Sequence, residues 1–253
     1  METSIKPLEN QPPTCYNLNM SVLTPLGILI LAMLIMAFLE LTPGVFILFY
    51  HYTIGRFSRK SASRLSLFFI LGTEIISACL FLSVYFLTSI LFFDHPDLRN
   101  NVLTWIIVGV LFALSFASFF FYFRRGPGTR LFIPREFANT LIHYAKTVKT
   151  TSDAFVLGAL TGVLELMFTL PLYIITSAEI MRMNNMPLPN TLLTIIYILS
   201  PVVSLFIKRW LFQSGRNLAQ IERSRIKDKN FTRVLLGSSY FIIAILIICF
   251  RIN

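Results

Sequence analysis

Long apolar runs separated by short polar, basic segments set the pattern of this chain. Runs of about 20 apolar residues are what a helix needs to cross a bilayer. Six are found, at roughly 24–51, 65–92, 102–123, 153–181, 190–211 and 232–251. The pattern predicts an all-α integral membrane protein of six transmembrane helices. The first and fourth runs are among the longest, as suits helices that tilt or break. Both are interrupted inside. One reads Phe38-Leu39-Glu40-Leu41-Thr42-Pro43-Gly44, the other Val163-Leu164-Glu165-Leu166-Met167-Phe168-Thr169-Leu170-Pro171. Each places a carboxylate and a helix-breaking proline where an apolar helix tolerates neither cheaply.

Composition agrees with the spans. Hydrophobic residues make up 55% and charged residues only 13%, about half the roughly 25% of a soluble domain. Mean hydropathy is +0.71. The net charge of +10 is no sign of nucleic acid, because its distribution follows topology. Basic residues crowd the first loop (Arg56, Arg59, Lys60, Arg64) and the third (Arg124, Arg125, Arg130, Arg135, Lys146, Lys149). The fifth carries Lys208, Arg209, Arg216, Arg223, Arg225, Lys227, Lys229 and Arg233. Only Lys6, Arg99, Arg182 and Arg251 fall elsewhere. By the positive-inside rule the odd loops are cytoplasmic and both termini lie outside. A bacterial-type plasma membrane is the expected location. The apolar run after the polar start far exceeds a signal-peptide core, so it is read as a retained helix.

This topology makes spans 1–3 and 4–6 enter from opposite sides. Two halves that share a break and enter oppositely form a 3+3 inverted-topology repeat, which places a site near the midplane where the halves meet. The expected organisation is an outer tail at 1–23, a first repeat at 24–123, a linker at 124–152 and a second repeat at 153–253. Anchoring on Leu-Glu-Leu leaves the two prolines out of step, and Pro201 in span 5 has no counterpart in span 2. Within the linker, Arg125-Gly126-Pro127-Gly128 signals a turn. After Pro134, a stripe of Phe137, Leu141, Tyr144 and Val148 opposes Arg135, Lys146 and Lys149. That predicts an amphipathic helix at the cytoplasmic interface, packed on the bundle.

Candidate chemistry centres on intramembrane acids. Glu40, Glu74 and Glu165 lie near mid-depth, while Glu179 falls near the outer end of span 4 and reads as interfacial. No lysine or arginine is expected at their depth. A carboxyl in a low-dielectric interior favours its protonated form, so it can exchange protons or neutralise a bound cation. Three roles compete for Glu40 and Glu165: binding protons or a cationic solute, hydrogen-bonding across helices as structural glue, or coordinating a hard metal. Thr42, Pro43, Gly44, Thr169 and Pro171 would shape the site, since each proline frees a carbonyl one turn earlier and the threonines can satisfy it. Cys15, Cys79 and Cys249 form no paired motif, and His51, His95 and His143 have no metal-ligand spacing. No nucleophile–base motif, P-loop or HExxH occurs, so no enzyme activity, cofactor or metal is expected.

The stretch Phe38 to Leu71, with Leu41-Thr42-Pro43-Gly44, a basic loop and then Gly72, resembles the start of the lysine-exporter (LysE/RhtB) family, whose first helix carries a Leu-Thr-Pro-Gly-Pro signature. Pro171 occupies the place of that family's second characteristic proline. Val45 stands where the second signature proline would be, and Phe168-Thr169-Leu170 where an asparagine would precede Pro171. The resemblance implies a secondary transporter exporting a small polar or cationic solute in exchange for protons. The wider superfamily includes thiol-carrying CcdA/DsbD membrane domains, but these need a cysteine in spans 1 and 4, whereas Cys79 and Cys249 fall in spans 2 and 6. Expected partners are a small-molecule solute, protons, membrane lipids and a second copy in a homodimer, with no nucleic acid. The competing class is a non-transporting scaffold or a subunit of a larger complex.

Overall fold

The computed structural model describes residues 15–38, 41–94, 102–120, 135–183, 190–213 and 234–249, and among them every regular element is helical. In chain order these are α1 (Cys15–Phe38), α2 (Leu41–Ile54), α3 (Arg59–Asp94), α4 (Val102–Phe120), α5 (Arg135–Thr147), α6 (Thr151–Arg182), α7 (Asn190–Gln213) and α8 (Val234–Cys249). Two helices, α3 and α7, are long and apolar enough to cross a membrane, and α6 is a third if its two bent halves count as one span. The other apolar stretches, Pro25–Met36, Gly44–Ile54, Thr104–Phe120 and Val234–Cys249, are shorter.

The expected first span is described in two parts, α1 and α2. Leu39 and Glu40 between them lie outside the described residues, and Pro43 is the third residue of α2 as described. At the other end, α1 starts at Cys15, so helix extends into the stretch expected to be tail. Span 4 opens on a capping box. Asp153 N–H donates to Thr150 Oγ1 at 3.2 Å, and Thr150 N–H donates to Asp153 Oδ2 at 2.9 Å.

The linker helix α5 packs on α2, with Leu141 and Val148 buried as expected. Tyr144 is 51% exposed, and Ala145 takes its place against the bundle; the turn from 144 to 148 faces the core through its smaller residue. Phe137 has its side chain outside the described residues. Arg56 donates to the Lys146 carbonyl, and the Lys146 ammonium lies 5.5 Å from the Tyr52 ring, so α5 grips the far end of α2.

The tightest packing joins α3 to α6, along most of their length. Glycine makes it possible. A Cβ on Gly72 would lie 2.1 Å from the Phe155 carbonyl oxygen, and one on Gly158 would lie 2.1 Å from that of Phe69. Gly162 instead faces the Ile76 side chain, whose Cγ2 would lie 2.3 Å from an added Cβ. This small-residue contact lets two backbones touch, as in membrane helix pairs. Residue numbers rise together along the contact, from Phe69 near Gly158 to Phe81 near Tyr173, so α3 and α6 run parallel. Thr73 Oγ1 bridges them to the Gly158 carbonyl at 3.1 Å.

Two apolar cores result. One gathers α2, α5 and the first halves of α3 and α6, with Leu205 of α7. The other joins α1, α4 and α8 to the later half of α6 and the start of α7. Phe168, beside the α6 break, touches both. Outward positions are themselves apolar, including Phe86, Ile195, Val203 and Trp210, a surface that suits lipid rather than water.

Candidate functional site

Glu165 is the meeting point of the two breaks. It is only 8% exposed. Thr42, the second residue of α2, turns both donors on it: the hydroxyl donates to Oε2, and the backbone N–H to Oε1 at 3.4 Å. The N-terminus of a helix carries unpaired N–H groups and a partial positive charge, so α2 is aimed as a carboxylate binder. Residues 123 apart in sequence are joined here. Gly44, in the same first turn, is buried. Glu40 lies outside the described residues, as does the side chain of Pro43.

On the α6 side, the helix bends by 74° between Thr151–Leu166 and Phe168–Met181. Pro171 supplies the cause, because it cannot donate to the Met167 carbonyl one turn back. Thr169, 2% exposed, donates its hydroxyl to the Glu165 carbonyl at 3.3 Å, taking up a backbone acceptor at the bend. Glu165 therefore projects from the last turn before a broken helix.

Glu74 on α3 is half-buried, and its Oε1 is buried with no hydrogen-bond partner among the described residues. Tyr173 ties it to the same neighbourhood. That phenol, buried on α6 two turns after Glu165, stands in the electrostatic field of both carboxyls and beside the hydroxyls of Thr169 and Ser77. An orphaned carboxyl oxygen next to a buried polar cluster is costly unless something binds it.

Two expectations are revised. Glu179, read as interfacial, is 2% exposed; its depth along α6 says nothing about what covers it sideways, and the second core closes over it. The acids are also less isolated from positive charge than expected, since half-buried Lys208 on α7 acts electrostatically on Glu165. No group of three or more metal-ligating side chains occurs among the described residues.

Residues that sequence reading passed over complete the surroundings. Phe81, Tyr173 and Tyr197 form a buried triad with ring centroids 5.4, 4.8 and 6.2 Å apart. Their only sequence signal was aromatic groups inside apolar runs, with Tyr173 on the same helical face as Glu165 and Thr169. On the opposite side of the site, Phe69 lies 5.4 Å from both Phe46 and Phe49. A carboxylate held by a half-helix is thus enclosed between two aromatic-rich cores. A proton or a cation taken up there would weaken the charge-assisted part of its bonds to α2. No protein-family model, curated protein or solved structure matches this chain.

Proposed function

We propose that this chain is a secondary transporter that moves a small polar or cationic solute outward in exchange for protons, from a site between two inverted three-helix repeats in a bacterial-type plasma membrane. The observation that carries the reading is the pair of hydrogen bonds from Thr42 to Glu165, next to the bend of α6. Deprotonated, Glu165 accepts both donors of α2. A proton on one oxygen, or a cation drawn to it, removes part of that acceptor capacity and loosens α2 at its N-terminus. Binding at the carboxyl is thereby coupled to the position of a half-helix, which is what an exchange cycle requires.

Helix pairing supports the repeat. A pseudo-twofold exchange of spans 1–3 with 4–6 maps the contact of spans 2 and 4 onto that of spans 5 and 1; α3–α6 and α7–α1 are both packed pairs. Superposing Thr42 on Thr169 also brings Phe46 onto Tyr173, aromatic residues four positions on. The resemblance to lysine exporters points the same way.

The test uses the full chain in liposomes with an entrapped pH dye, challenged with gradients of small amines and amino acids. Solute-driven proton movement is expected for the native chain and lost in Glu40→Gln and Glu165→Gln, both still folded. Unchanged, pH-dependent flux in both variants would sink the proposal. The bond to Thr42 also suits a second reading, a non-transporting scaffold in which Glu165 is glue between halves. In that case no solute on the panel moves protons, and Glu165→Gln changes stability alone.

A further inference from the structure

Pro201 belongs to neither break of the central site. It lies in α7, four residues after Tyr197, so it cannot donate to the Tyr197 carbonyl. Ser200 takes over that acceptor, its hydroxyl donating to the Tyr197 carbonyl at 2.8 Å. A backbone bond has been replaced by a side-chain bond that can rotate away. A hinge in α7 thus falls beside the residue whose ring closes the aromatic triad.

The triad's three rings are held unequally. Phe81 and Tyr173 sit on α3 and α6, the pair locked by backbone contact at Gly72 and Gly158. Tyr197 sits on α7, which makes no such contact. Its ring is 1% exposed and lies 4.8 Å from Phe81, yet its hydroxyl, facing Thr176, makes no hydrogen bond among the described residues. Tyr197 is held mainly by ring packing, its hydroxyl meeting that of Thr176 without the geometry of a full hydrogen bond. Leu193, one turn earlier on the same face, is likewise buried. The Tyr173 phenol faces the hydroxyls of Ser77 and Thr169 and stands in the field of Glu165 and Glu74, which marks that side of the rings as the central one.

We propose that the first half of α7, Asn190 to Ser200, is the moving leaf of a gate. It is hinged at Pro201 and closes the central site by seating Tyr197 against Phe81 and Tyr173. Resting on the transport reading above, this assigns the moving part at the end of the site where α6 finishes and α7 begins. The α3–α6 pair is the fixed jamb, because separating it would pull apart backbones in direct contact.

Site-directed labelling tests the gate without any solute. In the full chain with Cys15, Cys79 and Cys249 replaced by serine, Ser77→Cys reports access to the central side of the rings. The probe is a membrane-impermeant cationic methanethiosulfonate added to sealed vesicles of either orientation. Slow labelling is expected with the rings intact. Tyr197→Ala and Phe81→Ala should label roughly tenfold faster, the weight of the ring pairs lost, and only from the face where α7 begins. Tyr197→Phe should stay slow, because the ring and not the hydroxyl seals the site. Pro201→Ala should slow labelling further. Should an alanine variant fail to fold, Tyr197→Leu carries the same expectation. Equal rates in ring-intact and ring-deleted proteins, acceleration from both faces, or a Tyr197→Phe rate matching Tyr197→Ala would each overturn the gate. Failure of the transport reading looks different: ring-dependent access would persist while Glu165→Gln left proton flux unchanged.

Discussion

Replacing Gly158 by alanine adds one methyl group at the point where α3 and α6 touch. The new Cβ would sit 2.1 Å from the Phe69 carbonyl oxygen, 2.9 Å from its carbon and 3.0 Å from the Thr73 nitrogen. All three are backbone atoms of a helix, so no rotamer change relieves them. Ordinary contact begins near 3.4 Å, and the helices must part locally by roughly an ångström. Overpacking of this kind costs about 1–3 kcal/mol. Moving the backbones apart also stretches the Thr73 bond to the Gly158 carbonyl, now 3.1 Å, a loss of about 0.6 kcal/mol for an interhelical bond in a membrane protein. Against this stands the helix propensity of alanine over glycine, about 1 kcal/mol in its favour. The clash wins, and a net destabilisation of about 0.6–2.6 kcal/mol is expected. Gly109→Ala is the internal control, because a Cβ added there would meet nothing within 4 Å; it isolates the propensity gain and should leave the protein as stable or more so. Denaturation of the purified chain in detergent, followed by circular dichroism, measures both. A Gly158→Ala protein as stable as Gly109→Ala would refute the backbone contact, and with it the fixed jamb of the gate.

Other substitutions probe separate links. Thr42→Val removes the hydroxyl donor to Glu165 and leaves a buried carboxyl oxygen short of a partner, costing about 1–3 kcal/mol; Thr42→Ser should recover most of it, and equal melting of the two variants would argue against the clasp. Thr150→Ala deletes the cap of α6 at about 1 kcal/mol, visible as faster amide exchange in the first turn after Thr150, while the amides near Ala178 keep their protection.

The bend of α6 was readable because proline acts locally: Pro171 cannot donate to the carbonyl one turn back whatever surrounds it. The capping box of Thr150 and Asp153 is equally local, a Thr-x-x-Asp spacing that the sequence reading passed over. Burial was less legible. Tyr144 fits the apolar stripe of α5 yet faces outward, because Ala145 lies closer to α2. Glu179 looked interfacial from its distance to the helix end, but burial depends on neighbouring helices that position along one helix cannot reveal.

Local chemistry therefore determined where this chain turns helical, where its helices break and which segments are apolar enough for a bilayer. Those properties follow from each residue's own backbone preference and hydropathy, summed over a few neighbours. Tertiary structure alone decided the partners. It brought Thr42 to Glu165 and left Glu74 beside Tyr173. It pressed Gly72 and Gly158 onto facing backbones and set Tyr197 against two rings near a proline. Contacts between residues distant in sequence depend on how helices pack, and packing is fixed by the fit of whole surfaces rather than by any one stretch of the chain.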